Sequence, residues 1–314
     1  MRVLVTGGAG FVGSHVVDRL AADGHAIAVV DNLSSGRREL VNPAAELFVC
    51  DVRSLRLDAI FAAARPDALV HLAAQPAVAR SVADPLLDAS VNVLGTLSVL
   101  RACERAGVRD VIYISTGGAA YGDTDVLPTP EDHPTRAASP YGVSKLAGES
   151  YLRCWAGLTG ARIMSLRLAN VYGPRQSPLG EAGVVAIFAY RLLRGERCIV
   201  NGDGEQTRDY VYVEDVADAV ARAVAQRTAT GPVNVSTGVE TSVNELYRRL
   251  ARAAGVAAEP QHGPAKSGEQ RRSVLDWSRA KTMLGWTPTT PLDQGLQKTV
   301  TSFRKEVATC STPS

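Results

Sequence analysis

Tyr141 and Lys145, in the stretch Ser139-Pro-Tyr-Gly-Val-Ser-Lys145, have the types and spacing of a proton-transfer pair. Four positions apart on a helix, their side chains share one face, one turn apart. An ammonium beside a phenol favours the phenolate and lowers its pKa. Ordinary tyrosine titrates near ~10, so a base for neutral pH needs a shift of about three units, roughly 4 kcal/mol. One lysine rarely supplies that alone, so a second positive charge is required nearby. The bland alternative is a pair of ordinary helix-surface residues, and the rest of the chain decides between the two.

Composition bounds the answer. The 314 residues suffice for one large or two modest domains with a real core. Hydrophobic residues make up 46% and charged residues 21%, the balance of a soluble globular protein. A net charge of +2 gives no broad footprint for nucleic acid or an anionic membrane. The five cysteines (Cys50, Cys103, Cys154, Cys198, Cys310) form no CxxC pair and no zinc spacing, which fits free thiols in a reducing cytoplasm. The five histidines are equally dispersed, so a metal site has no support. Met1-Arg-Val-Leu-Val-Thr6 is not a signal peptide, and no long apolar stretch follows. Residues 304–314 lose apolar periodicity and read as a frayed tail.

Val3 to Thr6 reads as a buried parallel strand, and Phe11 to Ala22 carries helical spacing. Between them stand Gly7, Gly10 and Gly13. Glycines at such a turn let the backbone approach a pyrophosphate, and the helix start offers free N–H groups and a positive dipole end. A second strand, Ala26 to Val30, ends in Asp31, 18 positions after Gly13. That is near the ~20 expected for a carboxylate on an adenosine ribose. Strand, glycines, helix, strand and acid in this order predict dinucleotide binding. Asp31 repels a 2′-phosphate and favours NAD over NADP, although Arg37 and Arg38 stand close by in sequence.

Glu46 to Val49 predicts a third strand leading to Asp51, which is either a helix N-cap or a cofactor contact. Ala68 to His71 predicts another, followed by Leu72, Ala73 and Ala74. Helical periodicity runs from Pro85 to about Ala106 and includes Asn92, a poor helix former that needs hydrogen-bond partners if buried. Val111 to Thr116 is a strand whose end carries two hydroxyls, Ser115 and Thr116, where ligands bind in open α/β sheets. Arg208 suits a phosphate through its planar fork, or else forms a plain ion pair with Asp209 beside it.

The spacing Gly-x-x-Gly-x-x-Gly together with Tyr141-x-x-x-Lys145 resembles the extended short-chain dehydrogenase/reductase family, nearest its nucleotide-sugar 4-epimerase and dehydratase branch. The resemblance spans Met1 to about Phe303. It implies a doubly wound parallel sheet holding NAD. Gly7, Gly10, Phe11, Val12, Asp31, Asn32, Asp51, Val52, Leu72, Ala73, Ala74, Asn92, Ser115, Tyr141 and Lys145 would then line the cofactor. Thr116 is the first choice, ahead of Ser115, for the hydroxyl on the sugar's reacting oxygen. Dehydratases of the family carry an Asp-Glu pair after that threonine, and decarboxylases carry a glutamate in the same loop. This chain has Gly117, Gly118 and Ala119, none of which moves a proton, so a reaction needing only oxidation and re-reduction is expected.

On the substrate side the resemblance assigns Asn170 to a sugar diphosphate, Val184 to the helix start over it, and Arg208 to phosphate. In the segment Lys266-Ser-Gly-Glu269-Gln-Arg271, Glu269 matches the acid on the uridine ribose, and Arg271 substitutes for an arginine replaced by Lys266. Ser273 stands where family members restricted to plain hexoses carry tyrosine, leaving room for an N-acetyl group. Arg175 and Arg191 are a candidate pair for a sugar carboxylate.

The expected domains are 1–170 with 211–236 for NAD and 171–210 with 237–303 for the UDP-sugar, with 304–314 as tail. The family commonly dimerises through the helices near 85–106 and 140–158. The expected reaction is reversible epimerisation at C4 of a UDP-hexose through a 4-keto sugar. Substrate pairs left open are UDP-glucose/galactose, UDP-glucuronate/galacturonate and UDP-N-acetylhexosamines. A net NAD-dependent dehydrogenase and a non-catalytic NAD-sensing protein are the rivals.

Overall fold

The computed structural model describes residues 1–179, 183–265 and 270–310. Apolar runs bounded by turns form β1 (Arg2–Thr6), β2 (Ala26–Asp31), β3 (Glu46–Val49), β4 (Ala68–His71), β5 (Asp110–Thr116) and β6 (Arg162–Leu168). Every residue of β4 and β5 is buried, as befits strands covered by helices on both faces. There follow β7 (Asn170–Tyr172), β8 (Ile199–Asn201), β9 (Thr207–Tyr212), β10 (Gly231–Val235), β11 (Glu240–Ser242), β12 (Gln261–Gly263) and β13 (Arg272–Ser273). The large sheet runs β10-β6-β5-β4-β1-β2-β3 and is parallel throughout. This is the doubly wound sheet expected from sequence. Its order reverses between β1 and β4, the point outside whose carboxyl ends open α/β sheets bind their ligands.

Two cores flank the sheet. One is built from the helices Phe11–Ala22 and Val213–Ala225 and closed by Trp286, which is fully buried and donates Nε1–H to the Asp215 carbonyl at 2.9 Å. The other holds Phe61, Tyr113, Leu152 and Trp155. A third core, with Tyr172, Phe188, Tyr247 and Phe303, belongs to the second half of the chain. Phe11 and Val12, at the start of the helix after the glycines, pack against this third core. The cofactor loop and the second half therefore share one wall. There β9 pairs with β7, β11 and β13, which sets Ser273 opposite Arg208 and Asn170 opposite Tyr210.

The helical run Pro85–Ala106 is continuous but widens to a π turn over Ser90–Leu94. Such turns are frequent at functional sites, and this one contains Asn92. The expected tail begins later than residue 304. The helix Leu292–Cys310 continues because Val300 and Phe303 are buried and Arg304 Nη2 donates to the Ala254 carbonyl at 3.0 Å.

Candidate active site

The glycine loop is built for close approach. Gly7 has φ +74°, and a Cβ there would lie 2.7 Å from Ala73 N. A Cβ on Gly13 would lie 2.0 Å from the Gly7 carbonyl oxygen. Gly10 precedes the helix Phe11–Ala22 and offers no side-chain cap, so the first-turn N–H groups of Phe11, Val12 and Gly13 face outward for an anion. Asp31 accepts from Ala9 N at 3.0 Å on one oxygen and Leu33 N at 2.8 Å on the other. The backbone thus fixes this carboxylate beside the loop, with lone pairs left for ribose hydroxyls. These features fit NAD.

Asn32 Nδ2 donates to Asp51 at 2.9 Å, and Arg53 holds the same carboxyl well below the usual range. Val52 is buried, and its Cγ2 occupies the place of a Cβ on Gly95. Leu72 N and Ala73 N donate to the Thr6 carbonyl and hydroxyl, which carries Leu72, Ala73 and Ala74 past the end of β1.

Ser139 caps the helix Pro140–Thr159 through Gly142 N, Pro140 fills its first turn, and Gly160 ends it with φ +68°. Tyr141 N, one of the amides left over at a helix start, donates to Ser81 Oγ at 3.1 Å. A Cβ on Gly148 would lie 2.4 Å from the Tyr113 hydroxyl, so glycine lets this helix settle onto β5. Tyr141, Lys145 and Glu149 then form one stripe along it, at i, i+4 and i+8.

The Thr116 side chain stands near the Tyr141 hydroxyl and favours its ionised form. Ser115 donates to Glu149 at 2.5 Å. The two candidate hydroxyls thus differ in surroundings: Thr116 lies on the Tyr141 side, and Ser115 is engaged by Glu149. Lys145 is buried, with Nζ 4.3 Å over the Tyr113 ring. Burial pushes the Tyr141 phenol up to about 12, and the Asp88 charge adds to that while the Thr116 side chain opposes it. Burial pulls Lys145 down to about 7 against the opposing charges of Glu149 and Asp88. Burial of the ring dominates the Tyr141 phenol, and the lowering expected from sequence calls for a second positive charge besides Lys145.

Asn92 is buried and fully engaged. Its Nδ2 has three acceptors within reach of its two hydrogens, Gln75 O, Asp88 Oδ1 and Ser144 Oγ at 3.1, 3.0 and 3.0 Å, and its Oδ1 accepts from Gln75 N. His71 stands beneath with Thr6 Oγ1 at 2.6 Å and Thr96 Oγ1 at 3.0 Å. Thr96 gives its own proton to the Asn92 carbonyl, which makes His71 Nε2 the donor to it and Nδ1 the acceptor. Burial and the Lys145 charge hold His71 down to about 3, hence neutral.

The substrate-side expectations divide. Arg208 and Ser273 are neighbours across β9 and β13, and Arg208 Nη1 donates to the Thr207 carbonyl. Asn170 lies beside Gly118, and Val184 begins the helix Val184–Leu193. Arg175 instead pairs with Asp18 at 2.7 Å, and Arg191 donates to the Arg197 carbonyl, so each arginine of the supposed carboxylate pair has another partner. Arg271 forms an exposed bidentate pair with Asp203, both bonds 2.8 Å, rather than standing ready for phosphate. Lys266 and Glu269 lie outside the described residues. Among the described residues no three His, Cys, Asp or Glu side chains gather as a metal site.

Sequence reasoning passed over Asp88, Glu149 and Arg167. The i+8 stripe from Tyr141 would have found Glu149, and the i, i+4 spacing of Asp88 and Asn92 would have found Asp88. Arg167 carries no local signal, because its partners come from other elements. The loop after Thr116 has its own packing reason. A Cβ on Gly117 would lie 2.3 Å from Leu275 Cδ1, so no acid fits there without moving that side chain.

The profile of the NAD dependent epimerase/dehydratase family matches residues 3–236. The chain is 48% identical to UDP-glucose 4-epimerase of Mycolicibacterium smegmatis, covering 98% of this chain and 99% of that protein. The crystal structure of UDP-glucose 4-epimerase with UDP-glucose from Thermotoga maritima superposes with a TM-score of 0.94 at 46% identity, over 98% of this chain and 100% of that one. The Thermus thermophilus UDP-glucose 4-epimerase complex with NAD gives 0.92 at 45%, over 97% and 99%. Glycine loop, Asp31 and the Thr116–Tyr141–Lys145 cluster thus stand in a chain that belongs to the NAD-dependent epimerase/dehydratase family.

Proposed function

We propose that this protein interconverts UDP-glucose and UDP-galactose by epimerisation at C4 through a transient 4-keto sugar. The observation that carries the reading is Tyr141 beside Thr116 and one helical turn from buried Lys145, with a loop after Thr116 that holds no proton-transfer group. Tyr141 Oη takes the proton of the C4 hydroxyl, and Thr116 Oγ1 holds the same sugar oxygen. Lys145 supplies the positive charge behind the phenol. Bound NAD would supply the hydride acceptor and donor for C4. Glycine loop, Asp31, Asn32 and Asp51 bind the cofactor, while Asn170, Val184, Arg208 and Ser273 face the nucleotide sugar. Residues 1–170 with 211–236 serve the cofactor and 171–210 with 237–303 the sugar.

The separate partners of Arg175 and Arg191 weigh against a sugar carboxylate and hence against UDP-glucuronate. The small Ser273 beside Arg208 favours UDP-N-acetylhexosamines as second substrates. Purified protein incubated with UDP-glucose and no added NAD is expected to give UDP-galactose by NMR, with no NADH accumulating. NADH rising in step with turnover would make it a net dehydrogenase, and inactivity on every UDP-hexose would favour a sensing role.

A homodimer is also proposed. Val143, Tyr151 and Leu158 are 56%, 47% and 81% exposed on the helix Pro140–Thr159, and Leu94 on the neighbouring run is 57% exposed. Burying such side chains is worth roughly 1.5–3 kcal/mol each, which a second copy of the same helix pair would supply. Sedimentation at the monomer mass across micromolar concentrations would exclude it. Free Cys50, Cys103, Cys154 and Cys198 suit a cytoplasmic setting.

A further inference from the structure

Lys145 holds a charge in a place hostile to charge, and its surroundings single out one carboxylate. The residue is 3% exposed. The Tyr113 ring on β5 lies under its Nζ, neutral His71 stands on β4 and Tyr141 one turn back on its own helix, and the carboxylates whose charge acts on it through space are Glu149 on that helix and Asp88 on the run Pro85–Ala106. Glu149 is already matched. Arg167 from β6 binds both its oxygens, at 3.0 and 2.7 Å, and Ser115 adds a third bond, so that group is neutral overall.

Asp88 is different. It is 1% exposed, and its Oδ1 accepts only from the neutral amides of Asn92 and Gln75, both at 3.0 Å. Its Oδ2 has no hydrogen-bond partner. A carboxylate so deeply buried costs several kcal/mol unless a positive charge compensates it. Asn92 ties it to Ser144 Oγ at 3.0 Å, one residue before Lys145.

We propose that Asp88 is the counter-ion of Lys145 and so a positioning residue for the reaction assigned to Tyr141. The inference rests on that assignment. Signs support the pairing. A buried carboxylate favours an ammonium and opposes a phenolate, so Asp88 cannot serve by acidifying Tyr141. Its charge raises Tyr141 further, whereas at Lys145 it works against the loss caused by burial.

The test uses the NAD-loaded protein with lysines carrying 13C at Cε. The five lysines, Lys145, Lys266, Lys281, Lys298 and Lys305, keep the spectrum sparse, and Lys145→Met assigns the resonance. In Asp88→Asn, which preserves shape and an acceptor for Asn92, the Lys145 midpoint should fall by about one unit or more. The alkaline limb of kcat/KM should move down with it. Equal midpoints in the two proteins overturn the pairing, whatever happens to the rate.

Should Asp88→Asn alone fail to fold, Asp88→Asn/Lys145→Met should fold and be more stable than Lys145→Met. A double variant no more stable than Lys145→Met also overturns the proposal. Activity retained by Tyr141→Phe would instead remove the base assignment and leave the charge pair standing.

Discussion

Tyr141→Phe is expected to lower kcat with UDP-glucose by about 10³-fold or more, on the order of 4 kcal/mol of barrier. The substitution deletes one oxygen. The neighbouring Thr116 hydroxyl keeps its own bond, accepting from Ala119 N at 3.2 Å. Fold and cofactor loop should therefore be intact, with NAD retained and the melting temperature nearly unchanged. The loss should fall on kcat rather than KM, because the phenol acts on the reacting oxygen and contributes little to ground-state binding. Burial holds the phenol up, at about 12, so its ionisation calls for positive charge from Lys145 and from a bound cofactor. Turnover within tenfold of the parent would remove Tyr141 from the proton transfer.

The parts legible in the sequence were those set by short-range patterns. Apolar runs and turns placed β1 to β5 to within a residue or so, because buried strands of a parallel sheet can hardly be written otherwise. The glycine loop was legible because its backbone geometry permits nothing larger. What escaped depended on contacts between distant elements. The π turn at Ser90–Leu94 leaves no compositional trace beyond Asn92 within a helical run. Arg175, Arg191 and Arg271 looked like phosphate or carboxylate ligands because an arginine's partner is invisible in sequence; Asp203 lies 68 positions from Arg271. The Tyr141–Lys145 spacing predicted a shared helix face, while the burial that dominates both groups leaves no mark in the sequence. Spacing reports who is near, and burial decides which charges survive.

The second large effect concerns Arg167, in the interior behind the strand ends. Arg167 and Glu149 are 8% and 12% exposed and share two bonds, while Arg167 Nη1 also donates to the Tyr121 hydroxyl at 2.9 Å. Tyr121 passes its proton to Asn234 on β10, and Asn234 N donates to Glu131. The guanidinium thereby joins β6, β10, the Tyr141 helix and the loop after β5. Arg167→Met replaces it with a flexible side chain that fills similar space but leaves Glu149 charged, buried and without its cation.

Breaking one side of such a pair costs about 3–5 kcal/mol, and at roughly 2–4 °C per kcal/mol the melting temperature should fall on the order of 10 °C. Adding Glu149→Gln should recover part of that loss, since both charges are then gone. Failure to recover any would show that Arg167 acts through Tyr121 and the Glu131 carbonyl rather than through the ion pair. The two variants also separate stability from chemistry at Lys145. Arg167→Met unmasks the Glu149 charge one turn from Lys145 and should raise the lysine midpoint, while the double variant removes both charges of the pair and should return it toward the parent value. A shift that appears in one variant and disappears in the other, from two proteins that both melt below the parent, cannot come from loosened packing alone.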